Sequence, residues 1–358
     1  MIQSDRNPLL AQLAEYLNPY VARSPLRLFE IADQRMCVFP FPMYALCAEK
    51  YSCPPTVRRC CQNVLASEWT HRLPFIQPKS PAELAATVIV EALDDFAELD
   101  DSGLAVVDFC SGSGGPVPTI EKAVNRRRKE RGLSPVSFLM TDLNPHVDAW
   151  KAASAKSSHL SFIPESVDAT HPPSSVINAS SDPENRSSNL GPKRRIFRLY
   201  CLCFHHFSDP MARQVLASTL DTADGFAILE LQDRRLASFV LMVLDFFFIF
   251  LMTPFWFGAD PTHLFFTYIF PVVPFIMSFD GIVSSLRTRT FGEVMQLIDS
   301  VKGDNETEKE FDKCPPLKQL GKADRFDWEL RGGREVHTWP LGYFNYIVGR
   351  RKNQRSDT

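Results

Sequence analysis

Residues 106–122 read VVDFCSGSGGPVPTIEK. A short β-branched run ends in an acid, a turn with Gly112, Gly114 and Gly115 follows, and a helix-compatible stretch comes next. Such a strand–turn–helix unit lets backbone N–H groups approach a ligand closely and aims a helix N-terminus at it. Many ligands use turns of this kind, so the glycines alone do not choose among them. A phosphate loop of the Walker type is excluded, because no Gly-Lys-Ser/Thr follows. Nor is this a clean GxGxxG dinucleotide turn: Cys110 stands at the first glycine position, and Pro116 and Pro118 begin the helix.

The rest of the chain repeats the alternation. LAVVDF, SFLMTDL, RIFRLYCLCF and GFAILEL are short apolar runs, each ending near an acid or a histidine, with helical stretches between them. That pattern predicts an α/β fold, a mostly parallel sheet covered by helices on both faces. RFDWELRGG and GYFNYIVGRRK read as two further strands, able to pair antiparallel at the sheet edge. Residues 1–100 read as a helical N-terminal cap. Within it Ser80-Pro81-Ala82-Glu83 has a capping residue, a proline in the first turn and a glutamate three residues on. Residues 101–350 form the expected main domain. Residues 170–194, rich in Ser, Pro and Asn, predict a disordered surface insertion, residues 302–323 are charged and poorly patterned, and residues 351–358 read as a disordered tail.

A net charge of −3 offers no electrostatic case for nucleic acid. The first twenty residues lack the basic start and apolar core of a signal peptide and read as a short amphipathic helix. Nine cysteines, an odd number without a secretory signal, predict reduced thiols in a cytosol-facing protein. Cys47, Cys53, Cys60 and Cys61 fit no paired CxxC frame, so buried thiols are expected there and no metal.

Three acids narrow the ligand. Asp108 ends the strand before the glycine turn. Asp142, in FLMTDLNP, ends a second strand where a carboxylate can accept both hydroxyls of a ribose. Asp168, in ESVDAT, follows a third. The order DFCSGSGG, TDLNP, VDA resembles the class I S-adenosylmethionine-dependent methyltransferases. The resemblance extends over residues 103–350, through FHHF, ELQDR and FDGIVSSLRTRT, and the fuller wording is similar to a group of fungal methyltransferase-like proteins. It implies a Rossmann-like sheet with an antiparallel C-terminal edge hairpin, and S-adenosyl-L-methionine as cofactor. Asp108, Cys110, Ser111, Gly112, Gly114 and Gly115 would hold its methionine portion, Asp142 and Leu143 its ribose, and Asp168 and Ala169 its adenine. Two departures stand out: Cys110 in place of a glycine, and a long gap to Asp142 occupied by NRRRKERGLSP.

Methyl transfer from a sulfonium needs an in-line nucleophile and, for a hydroxyl acceptor, a base. His205 and His206, after the fourth strand, are candidates, as are Glu230 and Asp233 after the fifth. A histidine that only orders the loop is the alternative reading. LASFVLMVLDFFFIFLMTPFWF, residues 236–257, and LFFTYIFPVVPFIMSF, residues 264–279, form an apolar insertion. The first run is long enough to cross a bilayer. Arg234, Arg235, Arg287 and Arg289 flank the insertion and none lies in its GADPTH loop, a pattern expected if both ends face the cytoplasm. A membrane hairpin that dips into or spans the bilayer is expected, against a phenylalanine-rich lid over a greasy pocket. Asp245 favours the lid. Together these readings predict a membrane-associated methyltransferase acting on a small lipophilic acceptor. The rivals are a non-catalytic membrane-anchored protein of the same fold and a nicotinamide oxidoreductase.

Overall fold

The computed structural model describes residues 54–97, 103–177, 195–302 and 321–352. The expectations for residues 1–53, 98–102, 178–194, 303–320 and 353–358 lie outside them; residues 170–177, read as the start of a disordered insertion, are instead ordered, with a helical turn at Ser174–Ile177 and Val176 buried. Helices α1 (Pro55–Thr70) and α2 (Pro81–Ala97) come first. The start of α2 is the capping box read from the sequence: Ser80 N–H donates to Glu83 Oε2 (2.8 Å) and Glu83 N–H to Ser80 Oγ (3.3 Å).

Strands and helices then alternate: β1 (Leu104–Phe109), α3 (Val117–Glu130), β2 (Ser137–Met140), α4 (Val147–Ser154), β3 (Leu160–Phe162), the short α5 (Ser174–Ile177), β4 (Arg195–Cys201), α6 (Asp209–Thr222) and β5 (Gly225–Glu230). These five strands are mutually parallel, and the eight-stranded sheet runs β3-β2-β1-β4-β5-β8-β7-β6. The fold is Rossmann-like. Both faces of β1 are covered, which is why it reads as a continuous apolar run and not as an alternation. Val106 and Phe138 pack under α2, α3 and Trp150 on one face; Val107 and Leu139 pack toward α6 and a later helix on the other. Strand order reverses between β1 and β4, and at such a switch point the exit loops part to leave a crevice.

The antiparallel edge has three strands where two were read: β6 (Gly321–Arg325), β7 (Trp328–Thr338) and β8 (Gly342–Arg351), with β8 against β5. Two boundaries are thereby corrected. Gly321–Ala323, placed in the unpatterned segment, pair with β7; this outer strand buries no residue fully, so its charged sequence carries no strand signal. Arg351, placed in the tail, is paired with Trp328.

Between β5 and the last helix α10 (Phe291–Lys302) lies the apolar insertion: α7 (Leu236–Phe257), α8 (Pro261–Leu264), a π-helical turn (Phe265–Ile269) and α9 (Val272–Arg287). Its second arm extends beyond residue 279 to Arg287, since FDGIVSSLR continues the helix. By length and composition α7 is able to cross a membrane. The two arms approach closely at Gly281, where a Cβ would fall 2.3 Å from Met242 Sδ. Arg234 closes the base, donating to Leu286 O (2.9 Å) and to Glu293 (2.6 Å).

The insertion packs on α1. Cys60 and Val64 of α1 form a cluster with Ile249 and Val273. At the far end of α7, Trp256 stacks on His71 with ring centroids 5.1 Å apart. Asp245 faces Glu68 of α1; burial, and then Asp245 itself, pushes the Glu68 carboxyl well up, so this acidic pair avoids carrying two charges. Cys60 is buried as expected, its thiol pushed up to about 11 by burial and by Asp260.

Candidate functional site

The glycine turn leaves the end of β1 and is held open by backbone conformation. Cys110, Gly112, Gly114 and Gly115 all have positive φ, at 59°, 52°, 101° and 44°. A side chain is tolerated at the first of these, which lies in the small left-handed region, but not at φ 101°. Cys110 therefore takes the glycine's conformation without changing the path of the turn. Gly114 N–H closes back on Ser111 O (2.7 Å) and Val117 N–H on Gly114 O (3.0 Å), carrying the chain into α3.

The second strand's exit is stitched to this turn. Thr141 N–H donates to Asp108 O (3.0 Å) and Ser111 N–H to Thr141 O (3.0 Å). Asp142 accepts from Gly112 N–H (2.8 Å) with one oxygen and from Asn144 N–H (2.7 Å) with the other. Burial raises its pKa, against the pull of those two N–H groups and of Arg58. The third strand's exit joins next: Val167 N–H donates to Asp142 O (2.9 Å) and Ser166 Oγ to Leu143 O (2.7 Å). Leu143 is itself exposed. The exits of β1, β2 and β3 thus form one hydrogen-bonded rim.

Within that rim the acids differ. Asp108 is fully buried; Ser111 Oγ donates to its Oδ2, while Oδ1 has no partner among the described residues. Burial pushes its pKa up to about 8, opposed by Ser111 and by the neighbouring Cys201 thiol and helped by Asp142. Asp168 is exposed and accepts from Thr170 N–H (2.8 Å) and Thr170 Oγ1 (2.7 Å), so in this state it caps its own turn, with Ala169 buried beside it.

On the other side of the switch point, a 3-10 turn after β4, Phe204–His206, carries the two histidines. The sequence offered His205 and Glu230 separately; the fold joins them. His205 Nδ1 lies 2.8 Å from Glu230 Oε2, and His205 N–H donates to Glu230 Oε1 (3.2 Å). Both side chains are buried. Gln232 Nε2 lies 3.4 Å from His205 Nδ1, so the ring is held from its Nδ1 side. His206 is exposed beside it, ring centroids 4.2 Å apart. Arg289 anchors this turn by donating to Phe204 O (3.0 Å) and Phe207 O (2.7 Å). Asp233 is not part of it: it binds Arg235 and Ser238 at the start of α7.

Sequence reasoning missed three contributors. Gln62 and Trp69 of α1 cover the glycine turn: Ser113 Oγ donates to Gln62 O (2.8 Å), and a Cβ on Gly115 would stand 3.7 Å from the Trp69 ring. Asp280 on α9 is exposed and lies within electrostatic reach of His205 and Arg287. No spacing marks these residues, since each arrives from an element distant in sequence.

No protein-family model matches the chain, and no curated protein matches it. Solved structures do resemble it. The plantazolicin methyltransferase BpumL, complexed with a pentazolic desmethylPZN analog and SAH, is 13% identical over 83% of this chain and 98% of that one, with a TM-score of 0.39. Magnesium protoporphyrin IX methyltransferase ChlM from Synechocystis PCC 6803, with bound SAH, is 11% identical over 75% and 83%, at 0.37. LepI complexed with SAM is 15% identical over 81% of this chain, at 0.38. The chain spans about half the length of LepI, 51%. These are likenesses of fold.

Proposed function

We propose that this protein transfers a methyl group from S-adenosyl-L-methionine to a hydroxyl or amine of a small lipophilic acceptor, at a membrane and with its catalytic domain on the cytoplasmic side. The observation that carries the cofactor is Asp108: a buried carboxyl with one oxygen unpartnered, at the mouth of a glycine turn. A buried acid in that state favours a cationic ligand group, and the methionine portion of the cofactor is cationic. In this reading Asp142, which accepts from Gly112 and Asn144 N–H, also accepts the ribose hydroxyls, and Leu143, Asp168 and Ala169 serve the adenine. When bound, the cofactor supplies an electrophilic methyl group on a sulfonium.

The chain's own residues do the rest. Glu230 fixes the His205 ring and keeps the proton on Nδ1, so Nε2 presents a lone pair to the acceptor. His205 takes the acceptor's proton as the new bond forms, and Glu230 steadies the resulting imidazolium. The helical cap, through Gln62 and Trp69, covers the turn and keeps water from it. Turnover of labelled S-adenosylmethionine with lipid extracts tests this reading. Transfer of label to an extractable product supports it; cofactor binding without any transfer favours a non-catalytic protein of the same fold.

The state of Asp108 sets a pH dependence. With its pKa at about 8 the carboxyl is neutral at pH 7. A cation bound beside Oδ1 favours the carboxylate, so binding releases a proton below that pKa. Affinity for S-adenosylhomocysteine should therefore rise with pH, by up to about tenfold per unit, and level off above it. Asp108→Asn should abolish the rise. A flat calorimetric profile in the unaltered protein would separate Asp108 from the ligand.

A further inference from the structure

The hairpin is built inside out. In a helix on a water-facing surface the large apolar residues point inward. In α7 the buried positions include Ser238 and Thr253, and its one charged residue, Asp245, is turned to Glu68. The inward polar groups are satisfied locally: Ser238 Oγ donates to Asp233 (3.0 Å), Thr253 Oγ1 to Ile249 O (2.7 Å), and from α9 Ser278 Oγ to Met242 O (2.7 Å). The outward stripe is Leu236, Val240, Leu244, Phe247, Leu251 and Phe255, between 41% and 76% exposed. It holds no charge over the whole helix, about 33 Å at 1.5 Å per residue.

The hairpin also lies flat. At its base Arg234 ties α7 to the end of α9 and to α10. At its tip Trp256 stacks on His71, and α8 packs on α1. Helix α1 is in turn fixed to the catalytic sheet, through Arg58 to Asn144 (2.8 Å) and Gln62 to Ser113 (2.8 Å). Both ends of α7 are therefore held against the same body, and its tip has no route to the far side of a bilayer.

We infer that the insertion is a monotopic membrane anchor, lying in the plane of one leaflet with its inner face on the catalytic domain and its outer face in lipid. The inference rests on the membrane association just proposed and adds its geometry. Lipid is the occupant the pattern favours. From residue 236 to residue 286 the chain has no lysine or arginine, and α7 has the length and composition of a membrane helix while little of it is buried by the rest of the fold; the arginines at its base are tied within the protein, Arg234 to Glu293, Arg235 to Asp233 and Arg289 to Asp209. The same geometry gives an acceptor route. Helix α9 packs on the 3-10 turn of His205 and His206, so a lipophilic molecule leaving the leaflet along α9 arrives at the histidine pair.

The test uses the full chain, synthesised with sealed microsomes, with a protease site inserted between the exposed Gly258 and Ala259 at the hairpin tip. The expected result is flotation with the membranes and cleavage by protease added outside, without detergent. Cleavage only after detergent means the tip has crossed, and overturns the in-plane arrangement. Failure to float means that lipid is not the occupant, whether a second copy or another part of the chain covers the stripe, and also overturns it. The triple variant Leu244→Glu, Phe247→Glu, Leu251→Glu should reduce binding to phosphatidylcholine–phosphatidylserine vesicles at least about tenfold, with S-adenosylhomocysteine affinity unchanged. Calorimetry with S-adenosylhomocysteine on the same preparations reads the methyltransferase assignment separately, so the two readings fail independently.

Discussion

His205→Ala is expected to lower methyl-transfer turnover about 10²-fold, the usual contribution of a positioned base, while affinity for S-adenosylhomocysteine stays within a factor of about two. The separation follows from the geometry. His205 sits across the switch point from the glycine turn, and its ring is held at Nδ1 by the Glu230 carboxylate at 2.8 Å, with the Gln232 amide at 3.4 Å beside it. The alanine variant leaves a buried carboxylate short of one donor, a folding risk in its own right. His205→Gln retains a donor for Glu230 while removing the basic nitrogen, and should be as slow as the alanine variant. Turnover near that of the unaltered protein in both would reduce the histidine to a loop anchor. His206, exposed and without a carboxylate partner of this kind, should be the more tolerant of the two.

The second large effect is structural. Trp69→Ala should destabilise the fold by about 3–5 kcal/mol, the range for removing a fully buried tryptophan. Trp69 is 1% exposed and belongs to the core beneath α2 and α3. Its ring also backs Gly115, so the lost volume opens directly behind the cofactor turn. Urea unfolding measures the first consequence, and a matching fall in S-adenosylhomocysteine affinity the second. Trp69→Phe should recover most of both. A loss below about 1 kcal/mol would mean that α1 is not an integral part of the catalytic body.

The sequence displayed the features that depend on neighbours in the chain. The strand–turn–helix at residues 104–130, the capping box at Ser80 and the parallel alternation all follow from local pattern, and the structure has them where that pattern puts them. Asp142 was visible because it ends a strand in a known order relative to Asp108. What stayed hidden depends on contacts across the fold. Glu230 and His205 are 25 residues apart, and only the adjacency of β4 and β5 makes them a pair. Gln62, Trp69 and Glu68 lie on a helix with no motif, yet they cover the turn and meet Asp245. Strand β6 has alternate residues exposed and charged because it is the edge, and so resembles a loop. The apolar insertion was plain in composition, but its posture was not. The flanking arginines had suggested only a cytoplasmic side; in the fold Arg234 and Arg289 are structural ties, to Glu293 and to Asp209. With the acidic Asp245 turned inward toward Glu68, the charge that had argued against lipid no longer faces it.

Cofactor identity is the claim on which the rest depends, and titration of the full chain with S-adenosylhomocysteine by calorimetry tests it most directly. The account predicts saturable binding at one site per chain, weakened at least about tenfold by Asp142→Ala, because hydrogen bonds from the ribose to a charged acceptor are lost. Absence of binding by the folded, unaltered protein, or affinity unchanged in a folded Asp142→Ala variant, would contradict it.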